Sequence, residues 1–62
     1  MYKVRVLLDD LRKTEKFELC TTYNDAVERF LFYVHLALEY NCSIRCVNIV
    51  YRKKSIRLFQ NH

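Results

Sequence analysis

Hydrophobic and polar positions alternate with period two from Tyr2 to Leu8, setting Val4, Val6 and Leu8 on one side and Lys3, Arg5 and Leu7 on the other. That pattern predicts a half-buried strand. After the polar stretch "DDLRKT" the alternation resumes in "EKFELC", where Phe17 and Leu19 stand opposite Lys16, Glu18 and Cys20, and the two segments read as an antiparallel hairpin. At "TTYNDAVERF" the period lengthens to that of a helix. Thr22 followed by Asp25 resembles a capping box, so the helix is expected to begin at Tyr23 and run to about Tyr40, with Asn41 as its left-handed terminator. "SIRCVNIVY" is rich in β-branched residues and "SIRLFQ" alternates again, with Lys53 and Lys54 between them as a tight connection.

The element order is therefore ββαββ, an α+β fold in one domain spanning residues 1–62. A four-stranded antiparallel sheet of order 2-1-3-4 with one helix across one face satisfies it. Pairing Tyr51 with Ile56 and Ile49 with Leu58 would turn Val47, Ile49, Tyr51, Ile56 and Leu58 toward the helix. The open face would then display Lys3, Arg5, Lys16, Arg57 and Phe59, beside the Arg52-Lys53-Lys54 turn.

The centre of the helix, "FLFYVHLAL", is apolar almost all round, although a helix on a sheet needs a single apolar stripe. At about 100° per residue, Ala26, Val27, Phe30, Val34, Ala37 and Leu38 share one side with Leu31 at its margin, and these suffice for a core. Glu28, Phe32, His35, Leu36 and Glu39 fall opposite. Phe32, Leu36 and Tyr40 form an outward ridge at i, i+4 and i+8, flanked by Tyr33 and edged by Arg29. Aromatic anchors within a polar rim are the composition of a protein interface, so Phe32, Leu36, Tyr33, Tyr40 and Arg29 are the candidate partner-binding residues.

Composition narrows the chemistry. With 52% hydrophobic and 29% charged residues the chain expects a core, and a chain of 62 residues buries only roughly 60% of its unfolded surface, which leaves it in need of added support. There is no Gly and no Pro, so phosphate-cradling Gly loops and flexible linkers are absent. Three cysteines, Cys20, Cys42 and Cys46, lack a zinc-knuckle spacing and read as small hydrophobes with free thiols; no metal or cofactor is expected. No leader is expected ahead of Met1 and no apolar run is long enough to span a bilayer, which fits a reduced, cytoplasmic setting without a membrane. Asp9 and Asp10 suit a turn, and His35 lacks the neighbours of a catalytic base, so an enzyme is not expected. A net charge of +4 keeps a nucleic-acid reading alongside, with Lys3, Arg5, Arg57, Lys53 and Lys54 on phosphates and Phe59 as a stacking residue.

The pattern "MYKVRVLLDD…EKFEL…TTYNDAVERF…IRCVNIVYRKKSIRLFQ" resembles the small ββαβ and ββαββ proteins of phages and mobile elements. The likeness is one of layout over nearly the whole chain: a charged hairpin, Thr-x-x-Asp-Ala opening a helix, then an edge hairpin. It implies a stoichiometric inhibitor of host machinery, as anti-CRISPR proteins, polymerase inhibitors and antitoxin-like factors are. The expectation is a non-enzymatic module that occludes a surface of a larger host protein, with a homodimer through the helix ridge as a further expectation and a basic nucleic-acid-binding domain as the alternative.

Overall fold

The computed structural model describes residues 1–9, 11–40 and 43–61. Strands β1 (Tyr2–Leu8) and β2 (Glu15–Cys20) form the first hairpin, helix α1 (Tyr23–Glu39) follows, and β3 (Ile44–Tyr51) and β4 (Lys54–Gln60) form the second. All neighbouring strands are antiparallel and the sheet order is β2-β1-β3-β4, the order expected from the sequence. Thr22 caps the helix: its backbone is extended and its Oγ1 accepts from the Asp25 N–H at 3.1 Å, satisfying one donor that the first turn leaves open. Asn41, the expected terminator, lies outside the described residues, as do Asp10 and Cys42.

Val4 and Val6 of β1 and Val47 and Ile49 of β3 are fully buried beneath Ala26, Phe30 and Ala37 of the helix. The two central strands thus supply the floor of the core and the helix its roof. One end is closed by tyrosines. Tyr2 stacks on Tyr51 with ring centroids 4.4 Å apart, and Tyr23, the first helical residue, leans on Tyr2 at 5.7 Å.

The β3–β4 connection is one residue earlier than the sequence suggests. Arg52 and Lys53, not Lys53 and Lys54, occupy the turn, both at positive φ (51° and 66°), and Lys54 already pairs with Tyr51. Positive φ at both central positions is the requirement of a type I′ hairpin, whose twist matches that of the strands.

Two side-chain assignments differ from expectation, and both concern the outer strands. Val4 pairs with Glu18 and Val6 with Lys16, so Lys16, Glu18 and Cys20 are on the helix side of β2 while Phe17 and Leu19 face away from it. In β4 the register slips between Ile49 and Val50: Ile49 pairs with Arg57, Val50 with Ser55, and Ile56 is the extra residue of a bulge. Arg57 and Phe59 consequently lie on the helix side, and Leu58, paired with Asn48, lies on the open side. The contacts of Arg57 agree, for its guanidinium stands 5.8 Å from the Phe30 ring and Nη1 reaches the Tyr23 hydroxyl at 3.4 Å. The physical reason is width. One helix, about 10–12 Å across with its side chains, roofs two strands spaced by about 4.8 Å and leaves the outer pair only partly covered, so Lys16, Glu18 and Arg57 stay partly hydrated and guard the sheet edges.

Candidate functional site

The helix surface centres on a charged link to the sheet edge. Glu18 Oε2 accepts from the Tyr33 hydroxyl at 2.7 Å and from Arg29 Nε at 3.1 Å, while Arg29 Nη2 lies 3.0 Å from the same oxygen. Arg29 is held from above as well. Its guanidinium carbon is 4.6 Å from the Phe32 ring centroid and 5.3 Å from that of Tyr33, and the two rings meet edge to face at 5.3 Å. The Tyr33 hydroxyl and the Arg29 guanidinium hold the Glu18 carboxyl below its ordinary range. Burial and the bond to Glu18 push the Tyr33 hydroxyl up.

The link goes with a roll of the helix toward β2. Tyr33 and Leu36 pack against the core, whereas Leu31 and Leu38, expected at the margin of the core stripe and within it, are 43% and 64% exposed. The buried stripe is shifted by roughly 40° toward β2 relative to the one that a wheel drawn from hydrophobicity selects. Of the five candidate partner-binding residues, Phe32 and Tyr40 are exposed, and Tyr33 and Arg29 are half-buried and held by Glu18. Leu36 is half-buried and belongs to the rim of the core, which corrects its place on the outward ridge.

The open face of the sheet is a second surface, and its composition differs from the basic face expected. Its rows follow from the strand registers. Leu19, Lys3, Val50 and Ser55 form the first, nearest the Arg52–Lys53 turn. Phe17, Arg5, Asn48 and Leu58 form the second, and Glu15, Leu7, Cys46 and Gln60 the third. Lys16, Arg57 and Phe59 are not on this face. Arg5 makes a two-pronged ion pair with Glu15, and Lys3 Nζ lies 5.0 Å above the Phe17 ring. That hydrogen-bonded pairing lowers the Glu15 pKa and raises that of Arg5. The large apolar side chains of this face are well exposed: Phe17, Leu19 and Leu58 are 57%, 61% and 53% exposed.

The residues of the nucleic-acid reading are therefore divided between faces. Lys3 and Arg5 are on the open side, Arg57 and Phe59 on the helix side, and Lys53 and Lys54 at the hairpin end. Cys20 and Cys46 are free thiols on opposite faces, the first buried and with its pKa raised by that burial. No group of His, Cys, Asp and Glu among the described residues has the arrangement to hold a metal ion. No helix among them is long and apolar enough to cross a membrane.

Sequence reasoning missed the apolar character of the open face. The signal that would have found it is the charge of Lys16, Glu18 and Arg57. Strand-edge charges directed under a narrow helix are a recognised guard against edge pairing, and that choice sends Phe17, Leu19 and Leu58 outward. Comparison with protein-family models, with curated proteins and with solved structures gives no match. The chain is a ββαββ module of the α+β class, with one helix on a four-stranded antiparallel sheet.

Proposed function

We propose that the chain is a non-enzymatic protein-interaction module that binds a larger protein through the helix surface around Phe32. The observation that carries this reading is the fixing of Arg29, gripped by Glu18 and covered by the Phe32 and Tyr33 rings. Arg and aromatic side chains dominate binding hot spots, and ones already held in place lose less rotamer freedom when a partner arrives. Phe32 supplies the exposed apolar anchor, Tyr40 lies farther along the helix, and Glu28 and Glu39 provide polar surroundings. The layout shared with small phage and mobile-element proteins supports a host protein as the target, bound one to one and blocked by occlusion.

The test is capture from a host-type cytoplasmic extract on immobilised wild-type and Phe32→Glu chains. A protein retained by the wild type, lost with Phe32→Glu and little affected between about 50 and 200 mM salt supports the reading, since binding by phosphate neutralisation falls steeply over that range. Retention of nucleic acid with that steep dependence, unchanged by Phe32→Glu, would replace it by the basic nucleic-acid-binding alternative.

A further inference from the structure

The outer strands turn three of their large hydrophobic residues away from the protein's own core, although Cys20 and Phe59 pack on it. In β2 the apolar pair Phe17 and Leu19 faces out while Glu18 faces the helix; in β4 Leu58 faces out while Arg57 faces the helix. A sheet with one solvated face has the opposite alternation, polar outward and apolar inward. We infer that the open face of the sheet is the contact between two copies of this chain, packed face to face about a two-fold axis parallel to the strands.

The occupant follows from how the face maps onto itself. Rotation about such an axis lays β2 over β4 of the second copy and β1 over its β3. The second row, Phe17–Arg5–Asn48–Leu58, then becomes self-complementary. Phe17 meets Leu58 of the second copy, and Arg5, a donor, meets Asn48, whose Oδ1 accepts from Ser55. In the third row Leu7 meets Cys46 and Glu15 meets Gln60, whereas the first row, at the hairpin end, sets Leu19 against Ser55 and Lys3 against Val50, so the second and third rows carry the match. Each pairing occurs twice, and the packing angle of about 30° between aligned sheets leaves these rows in register near the axis.

Charge favours the same occupant. Arg5 and Glu15 neutralise each other within one copy and Lys3, the remaining cation of this face, lies over the Phe17 ring, whereas Arg52, Lys53, Lys54 and Arg57, none of which has an ion-pair partner among the described residues, stand at the hairpin end or on the helix side. An acidic protein or a nucleic acid would find most of its cations elsewhere. Area sets the strength. Four strands of six to eight residues give an outline on the order of 450 Å² per copy before side-chain relief is counted, close to the roughly 1,000 Å² in total that a specific interface requires. An interface at this small end of the specific range makes a reversible dimer. It leaves both helices outward, each free to carry the Phe32 surface, so this inference stands or falls apart from the proposed function.

The experiment is sedimentation velocity over about 1 µM to 1 mM chain, combined with exchanged charges at the Phe17–Leu58 contact. Wild type and Phe32→Glu should both form dimers; Phe17→Lys and Leu58→Glu should each be folded monomers by circular dichroism. Mixed one to one, these two variants should associate again, because the introduced lysine of one chain would face the introduced glutamate of the other in one contact, and the native Phe17–Leu58 contact would remain in the second. Cys46, half-buried on the same face, gives a readout in the unaltered chain: alkylation followed at Cys46 by peptide mapping should slow about tenfold where nine in ten chains are paired. A monomeric wild type, a dimer dissociated by Phe32→Glu, a mixture that stays monomeric, or Cys46 reactivity independent of concentration would each overturn the inference. If either charged variant fails to fold, the Cys46 measurement decides alone.

Discussion

The hydroxyl of Tyr33 donates to Glu18 Oε2 at 2.7 Å across the gap between the helix and the outer strand β2. The two residues are fifteen apart in sequence, and with Arg29 they form the only described side-chain ion-pair contact between the helix and the sheet. The contact lies on the side toward which the helix is rolled, the side opposite the exposed Leu31 and Leu38.

Its pH dependence has a definite sign. Tyr33 and Arg29 lower the Glu18 pKa in the folded state, so the carboxylate contributes stability above the unfolded value of about 4.3, and that contribution is lost as pH falls through the folded value. Between about pH 5 and pH 2, wild type should lose more stability than Glu18→Gln in urea titrations. Both partners are about 40% exposed, so the difference should stay below roughly 1 kcal/mol. An identical decline in the two proteins would show that the link is solvated away.

Helix roll makes a prediction that hydrophobicity alone would reverse. Leu36→Ala, at a half-buried position on the core, should cost about 1–2 kcal/mol, and Leu38→Ala, 64% exposed, less than roughly 0.5 kcal/mol. Thermal or urea denaturation of the two variants checks it. The opposite order would place the helix where the wheel alone puts it.

The elements and the sheet order were legible because periodicity reports backbone geometry directly: Val4 and Val6, two residues apart, are both buried, and Thr22 does cap the helix. The faces of the outer strands were not legible from alternation. "EKFEL" alternates equally well in either orientation, and a one-residue error inverts every side chain on the strand. In β4 the bulge at Ile56 adds such a shift, which neither "RKKS" nor the alternation announces. For the helix, counting apolar residues treats Leu38 and Tyr33 as a core residue and a flank; only the Glu18 contact, between elements, shows their roles exchanged.

The type I′ turn holds two β-carbon-bearing residues at positive φ, where a left-handed backbone costs roughly 1–2 kcal/mol for an L-residue other than Gly or Asn. Lys53→Gly should therefore raise stability by about 1 kcal/mol, and Arg52→Asn combined with it somewhat more, as Asn-Gly is the preferred pair in this turn. Arg52 also lies 5.2 Å from the Tyr51 ring, and losing that contact offsets part of the gain from Asn. Urea midpoints of the single and double variants measure both terms. A fall in stability for Lys53→Gly would mean that the turn has another geometry.

Phe30 and Phe32 lie two residues apart on one helix, with opposite surroundings, and they separate folding from recognition. Phe30 is 5% exposed beneath the Arg57 guanidinium, so Phe30→Ala should open a cavity and cost roughly 3–5 kcal/mol, a large part of the stability of a domain this size. Phe32 is 47% exposed, and its main contacts are Arg29 and Tyr33 on the helix's own surface. Phe32→Glu replaces a stacked ring with a carboxylate three residues after Arg29, at a spacing that permits an ion pair, and should change stability by less than about 1 kcal/mol. Partner capture should nevertheless be lost, because the anchor is gone while the fold stands. If Phe32→Glu unfolds the protein as Phe30→Ala does, the ring belongs to the core; if it retains the captured partner, recognition lies elsewhere on the molecule and the helix surface is a solvated face.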